Sequence, residues 1–102
     1  MKIVQIKQLA YKIYTRDITK SKVHMPNRKL VMYFSPIDDN SSEIWVPKKI
    51  TKFDIPTLAH EVVHILQHIS KVRGIDFINE EEHFGYLMQF ILNEILDYEY
   101  TS

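Results

Sequence analysis

The chain has 102 residues, 45% of them hydrophobic and 25% charged, with a formal net charge of zero. This length and composition predict one globular domain spanning residues 1–102. The absence of cysteine excludes disulfides, thiolate metal sites and thiol nucleophiles. The N-terminal stretch lacks the apolar core of a signal peptide, and no run reaches the length of a membrane span. We therefore expect a cytoplasmic protein without a membrane partner.

The charges are divided unevenly between the two halves of the chain. Residues 1–53 hold 11 basic and 4 acidic side chains, a net +7, whereas residues 54–102 hold 2 and 9, a net −7. Either the halves attract each other and pack together, or the basic half faces an acidic partner. Tyr11, Tyr14 and Tyr33 lie among the lysines, as in some nucleic-acid-binding surfaces. A neutral chain without a nucleic-acid-binding fingerprint does not favour that partner.

The N-terminal segment fits two kinds of secondary structure. Apolar residues over positions 3–15 follow a helical stripe, but Leu9, Tyr11 and Ile13 also alternate as a strand would. We favour a helix for residues 3–15. Met25–Arg28 then predicts a turn, because it contains proline and asparagine.

The middle of the chain predicts an antiparallel hairpin. Residues 29–34 (KLVMYF) and residues 43–46 (EIWV) are rich in strand formers. The polar residues 35–42 between them predict a connecting turn. Pro47 is expected to end the second strand, because proline cannot donate a ladder hydrogen bond.

Residues 55–72 predict a helix. Apolar residues recur there at helical spacing, namely Leu58, Val62, Ile65, Leu66 and Ile69. Asp54 is expected to cap its N-terminus, and Pro56 suits the first turn. Gly74 is expected just beyond its C-terminus, where a left-handed residue commonly ends a helix.

A second helix is predicted from Asn79, as its cap, to about Tyr98. Glu80–Glu82 occupy its first turn, where the helix dipole favours anions. Its expected buried stripe consists of Phe84, Leu87, Met88, Ile91 and Ile95. Gly85 costs helix stability, so it predicts a close approach of the neighbouring helix at that point.

The first of these helices contains the sequence HEVVH, which fits the pattern H-E-x-x-H. His60 and His64 lie four residues apart, so both imidazoles can face one metal ion. Glu61 lies about 100° further round the helix and can reach a water on that ion as a general base. The pattern is short, and the alternative is an ordinary amphipathic helix whose histidines find local partners.

A catalytic zinc needs a third protein ligand and one open position. His68 lies about 12 Å from His60 along the helix axis, too far to share an ion, so we interpret it as a surface or cleft-lining residue. The glutamates that open the second helix are better placed, although all three could serve only the helix dipole. Periodicity alone turns Glu80 or Glu81 towards the core and leaves Glu82 on its flank.

The segments TLAHEVVHILQHI and EEEHFGYLMQFI together resemble the gluzincin group of zinc metallopeptidases. Over about residues 43–96, the chain is similar to small proteins of metallopeptidase type encoded by bacteriophages. The resemblance implies an α+β, minimal zincin-like fold, in which a small antiparallel sheet packs on the H-E-x-x-H helix and on a second, C-terminal helix. It also implies zinc bound by His60, His64 and Glu82, and we follow it over periodicity. The sequence departs from the pattern at Gly85, where alanine is usual, and at Tyr86, where an acidic residue is common.

The function that the resemblance implies is zinc-dependent hydrolysis of a peptide or protein, with Glu61 activating the zinc-bound water. The segment 43–46, which includes Ile44, is expected to bind extended substrate by edge pairing. His83, Tyr86 and His68 are candidate helpers in the same cleft. The alternative is a zinc-stabilised, phage-type protein that binds a host partner without proteolysis.

Overall fold

A computed structural model of the chain describes residues 2–22 and 32–96. They form an α+β fold with four strands and two long helices, which confirms the predicted class. In chain order these are β1 (Ile3–Ile6), β2 (Tyr11–Asp17), β3 (Tyr33–Asp38), β4 (Ser41–Val46), α1 (Ile55–Arg73) and α2 (Glu81–Leu96). Short 3-10 helices at Lys7–Leu9, Ile18–Lys20 and Lys52–Asp54 precede β2, follow β2 and precede α1.

The four strands form one sheet in the order β1-β2-β4-β3. The pairs β1–β2 and β3–β4 are antiparallel, but β2 and β4 run parallel, so the sheet is mixed. The predicted hairpin is present as β3 and β4. The prediction of a wholly antiparallel sheet is wrong, because the N-terminal segment supplies two further strands.

The prediction of a helix over residues 3–15 is also wrong. The segment forms β1 and β2, and in β2 the buried residues alternate at Tyr11, Ile13 and Thr15. Between the strands Ala10 adopts a left-handed conformation with φ of 50°, which reverses the chain and could not continue a helix.

The hairpin of β3 and β4 lies later in the chain than predicted. The expected turn at Met25–Arg28 and the first residues of the expected strand 29–34 lie outside the described residues. The strand β3 continues through Pro36 to Asp38, and the chain turns at Asp39 and Asn40. Proline is tolerated there because β3 is an edge strand.

Both helices pack on the same face of the sheet. The predicted stripe of α1 is fully buried, and in α2 Leu87, Ile91 and Ile95 are buried while Phe84 and Met88 pack at the edge of the core. The sheet contributes the alternating residues Val4, Ile6, Tyr11, Ile13, Ile44 and Val46. These side chains exclude water from one continuous core, and that core fixes where α1 holds its polar residues.

The ends of α1 show how the sequence sets its length. Gly74 adopts φ of 65° and donates its N–H to the Ser70 carbonyl, as predicted for a residue that ends a helix. At the other end Asp54 makes no side-chain cap to α1. Its carboxylate instead accepts hydrogen bonds from the backbone N–H and the hydroxyl of Thr51, so it caps the preceding 3-10 helix.

Arg73 ties the last turn of α1 to both hairpin turns. Its guanidinium donates to the carbonyls of Leu9 and Ala10 in the turn between β1 and β2. It also donates to the carbonyl of Asp39 and the side chain of Asn40, in the turn between β3 and β4. One side chain therefore fixes the helix against the whole width of the sheet.

The start of α2 differs from the prediction in two details. Asn79 donates its side-chain amide to Asp76, and the first backbone bond into the helix runs from the Phe84 N–H to the Glu80 carbonyl. No described atom outside the local backbone of α2 lies within 4 Å of where a Cβ on Gly85 would stand, so the predicted close helix approach there is wrong. The predicted end at Tyr98 lies outside the described residues.

Neither α1 nor α2, nor any other helix within residues 2–22 and 32–96, is long and apolar enough to cross a membrane.

Candidate metal centre

Helix α1 holds two histidine side chains with their ring nitrogens almost in contact. The Nε2 atoms of His60 and His64 are 3.2 Å apart, and their rings meet edge to face with centroids 4.8 Å apart. Two nitrogens that each lie ~2.05 Å from a tetrahedral zinc are separated by ~3.3 Å. The spacing that the helix imposes therefore fits two ligands of one ion.

Glu61 completes the group. The potential ligand atoms of His60, Glu61 and His64 all lie within 4.8 Å of one another. The Oε2 atom of Glu61 is buried and has no hydrogen-bond partner among the described residues. Burying an unpaired carboxylate oxygen is unfavourable, so a metal ion or a water molecule is the natural missing partner. These three residues could hold a metal ion.

The edge strand β3 packs against this part of α1. The Phe34 ring stacks on the His64 ring, with centroids 6.2 Å apart and an angle of 24° between the planes. The same ring contacts His68 at 6.0 Å, in a tilted arrangement. Phe34 thus restrains the His64 imidazole, and sequence analysis did not identify it because the two residues are 30 positions apart.

His68 lies outside the group that can share an ion, as expected from its distance. It is not simply a surface or cleft-lining residue, however, because its Nδ1 atom is 2.6 Å from the hydroxyl of Tyr11. Tyr11 is fully buried, and burial raises its pKa to about 12, against the opposing effects of the nearby Ser42 hydroxyl and the Arg73 guanidinium. The tyrosine could have been noticed in the sequence, since a buried hydroxyl on a strand requires a polar partner.

The glutamates at the start of α2 are exposed, and none of Glu80, Glu81 and Glu82 belongs to the group formed by His60, Glu61 and His64. Glu82 as the third ligand therefore stays a prediction, with Glu81 as its rival. The two remaining candidates on α2, His83 and Tyr86, have different surroundings from each other. His83 packs edge-on against Phe77, with ring centroids 5.7 Å apart, and Tyr86 is 66% exposed.

The strand β4 does not have the free edge that sequence analysis gave it. It pairs with β2 on one side and with β3 on the other, and Ile44 is fully buried in the core. The expectation of edge pairing at residues 43–46 is therefore wrong, and it leaves no surface of Ile44 for a substrate. Among the described strands, β3 is the edge strand beside α1.

Comparisons of the chain with protein-family models, with curated proteins and with solved structures found no match. The resemblance to metallopeptidases thus depends on two short motifs. In the first of them, the structure brings His60, Glu61 and His64 close enough together to bind a metal ion. Imidazole and carboxylate ligands suit several divalent metals of the first transition row.

Proposed function

We propose that the protein is a zinc-dependent peptide hydrolase, with His60 and His64 as metal ligands and Glu61 as the general base. The observation that carries this proposal is the 3.2 Å separation of the two Nε2 atoms beside a buried carboxylate oxygen without a hydrogen-bond partner. A core helix rarely buries such an oxygen unless a ligand or a reaction uses it.

Zinc is the proposed metal because two histidines four residues apart on a helix, with a glutamate beside them, form the H-E-x-x-H pattern of catalytic zinc sites. Catalytic zinc sites commonly combine histidines with one carboxylate and keep one position open. Glu82 is the proposed third ligand and Glu81 the alternative, and both are exposed in the first turn of α2.

When bound, zinc lowers the pKa of a water molecule and polarises a substrate carbonyl. Glu61 is the group of this chain that accepts the proton from the attacking water. Water oxygen then forms a bond to the carbonyl carbon, and the bond from that carbon to nitrogen breaks. Glu61 returns the proton to the departing amine, so that the products are an acid and an amine and Glu61 ends as it began.

The position of β3 at the edge of the four described strands supports the choice of an extended peptide as substrate. An edge strand presents unpaired N–H and C=O groups, which a peptide can pair with as an added strand. The side chain of Phe34 from this strand lies against His64. A peptide paired with β3 would therefore lie beside the candidate metal centre.

A zinc-stabilised binding protein is the second candidate, because the described arrangement gathers only three of the side chains that a complete catalytic site would use. It differs from the hydrolase in one respect that can be tested. A binding protein keeps its zinc and binds its partner without cleaving it, with or without Glu61, whereas a hydrolase cleaves its substrate and loses that cleavage when Glu61 is replaced.

The deciding experiment is elemental analysis of the full chain purified without added metal. We expect one zinc per chain in the wild type and little or none in His60→Ala and His64→Ala. His83→Ala is the matched control, because His83 is a partly buried histidine outside the group, and it should retain the metal. A wild-type protein that contains no zinc and does not take it up overturns the proposal.

A further inference from the structure

The hydrogen bond between Tyr11 and His68 has no part in the proposed function so far. Tyr11 lies on β2 and is fully buried, and its hydroxyl is 2.6 Å from His68 Nδ1. Ser42, on the neighbouring strand β4, is also fully buried, and its Oγ atom makes no hydrogen bond to the described residues. A polar cluster therefore lies in the core directly beneath α1.

This cluster fixes the position of the proton on the His68 ring. A neutral imidazole has one nitrogen that donates and one that accepts. The Tyr11 hydroxyl retains its proton, and a buried donor needs an acceptor. The Ser42 hydroxyl lowers the pKa of Tyr11, which is the effect of a group that donates towards the Tyr11 oxygen, so His68 Nδ1 is the acceptor for the Tyr11 proton. The proton of the His68 ring then resides on Nε2.

The second nitrogen of His68, Nε2, lies on the side of the ring away from Tyr11. The two ring nitrogens point to opposite sides of the imidazole, and Nδ1 faces the buried Tyr11. His68 itself is partly exposed, one helical turn from His64, or ~6 Å along the axis. Phe34 contacts the rings of both histidines, which places His68 beside the candidate metal centre.

We propose that Tyr11 holds His68 as a fixed Nε2–H donor, which binds an oxygen atom of the molecule at the metal centre. The ligand class is a peptide carbonyl or a carboxylate, and this inference rests on the proposed function. It also predicts that His68 does not ligate the metal through Nε2, because a nitrogen that carries a proton has no lone pair for an ion. Tyr11 is a positioning residue in this arrangement, and His68 is the residue that touches the ligand.

The first test measures the tautomer of His68 and needs no metal. The ¹⁵N shifts of the histidine rings in the full chain distinguish Nε2–H from Nδ1–H, and His68→Gln assigns the resonances. We expect the Nε2–H form in the wild type at a pH where the imidazole is neutral, and a loss of that preference in Tyr11→Phe. An Nδ1–H tautomer in the wild type overturns the inference and leaves the proposed function untouched.

The second test uses cobalt(II) as the metal and acetohydroxamate as the probe, followed by the visible spectrum of the cobalt. We expect His68→Phe to weaken probe binding about tenfold, the effect of one hydrogen bond, with the affinity for cobalt unchanged. Tyr11→Phe should weaken it in the same direction while keeping the imidazole, and Lys12→Ala, at an exposed position of the same strand, should have no effect.

The outcomes of this second test separate the two proposals. Unchanged probe affinity in both His68→Phe and Tyr11→Phe, or a wild type that binds cobalt but not the probe, overturns the role of His68 alone. Loss of cobalt from His68→Phe would make His68 a ligand and also overturns it. A wild type that binds neither cobalt nor zinc overturns the proposed function and this inference with it.

Discussion

Glu61 is the residue whose chemistry is least explained by packing. Its neighbours in sequence, Val62 and Val63, serve the helix and its core, whereas Glu61 turns a carboxylate towards the two histidine nitrogens. A carboxylate oxygen that is buried without a partner among the described residues lowers stability, so its placement fits the proposed metal centre better than a role in packing. Substitution of Glu61 is therefore the most direct test of the proposed function.

The substitution Glu61→Gln should abolish hydrolysis and leave zinc bound. Glutamine keeps the shape of the side chain but cannot accept the proton, and loss of a general base typically costs 10²–10⁴-fold in rate, so we expect a loss of roughly that size. Zinc content and the cleavage of a peptide library, read by mass spectrometry, are the two measurements. Glu94→Gln is the control, since Glu94 pairs with Lys2 far along α2.

The two measurements have separate meanings for Glu61. Loss of zinc from Glu61→Gln would make Glu61 a metal ligand rather than a base. Zinc retained together with unchanged hydrolysis would remove Glu61 from the reaction.

Single substitutions can also identify the third metal ligand. We expect Glu82→Gln to weaken zinc binding by about tenfold or more, because a lost ligand should cost at least as much as the ~10–100-fold of a lost outer-shell partner. Glu81→Gln should change the affinity little. Competition with a chromogenic chelator gives both values. The reverse order would mean that helical periodicity identifies the ligand correctly and that the resemblance fails at this position.

At the level of elements, local patterns predicted α1, α2 and the hairpin of β3 and β4, but failed on the N-terminal strands β1 and β2. The five apolar residues of α1 and Gly74 lie within one segment, so their spacing was sufficient. The strands β1 and β2 could not be separated from a helix by spacing, because their stability comes partly from the parallel pairing of β2 with β4. In the candidate site, too, the contact between neighbours in sequence was predicted and the long-range contact was not. His60 and His64 are neighbours on one helix, whereas Tyr11 reaches His68 across 57 residues.

The hydrogen bonds of Arg73 attach α1 to the sheet and should contribute to the free energy of unfolding. Its guanidinium makes four hydrogen bonds to the two hairpin turns, and hydrogen bonds from a charged donor are stronger than average. We expect Arg73→Ala to lower the free energy of unfolding by about 2–3 kcal/mol, measured by urea denaturation. Arg73→Lys should recover only part of this, because an ammonium group lacks the planar fork.

The control for Arg73 lies in the same helical turn. Lys71 is exposed, so Lys71→Ala should change the free energy of unfolding by less than ~0.5 kcal/mol. Equal effects of Arg73→Ala and Lys71→Ala would show that the hydrogen bonds of Arg73 contribute nothing beyond helix propensity and charge.

At the scale of the whole molecule, the division of charge follows the division of structure. Residues 1–53, with a net charge of +7, contain all four described strands, and residues 54–102, with −7, contain both long helices. The helices pack on the sheet, and Lys2 of the first half pairs with Glu94 of the second at 3.5 Å. This ion pair joins the two halves, and the expectation that nucleic acid is not a partner stays a prediction.

Zinc should raise the stability of the whole molecule if the centre binds it. An ion that binds only the native state stabilises that state by about 2.7 kcal/mol at a free concentration of 100 times the Kd. For a domain of this size such a gain raises Tm by roughly 10–20 °C. We therefore expect the chain to melt at least about 10 °C higher with excess zinc than with a strong chelator, as measured by calorimetry.

Repeating this melting experiment on variants shows which residues the stabilisation by zinc requires. The difference between zinc and chelator should disappear in the double variant His60→Ala/His64→Ala and persist in His83→Ala, because only the first removes the paired Nε2 atoms. Glu82→Gln should shrink the difference, since a ligand from α2 would join that helix to α1 through the ion. Identical melting of the wild type in zinc and in chelator would contradict metal binding. A difference that survives in the double variant would place the zinc elsewhere in the molecule.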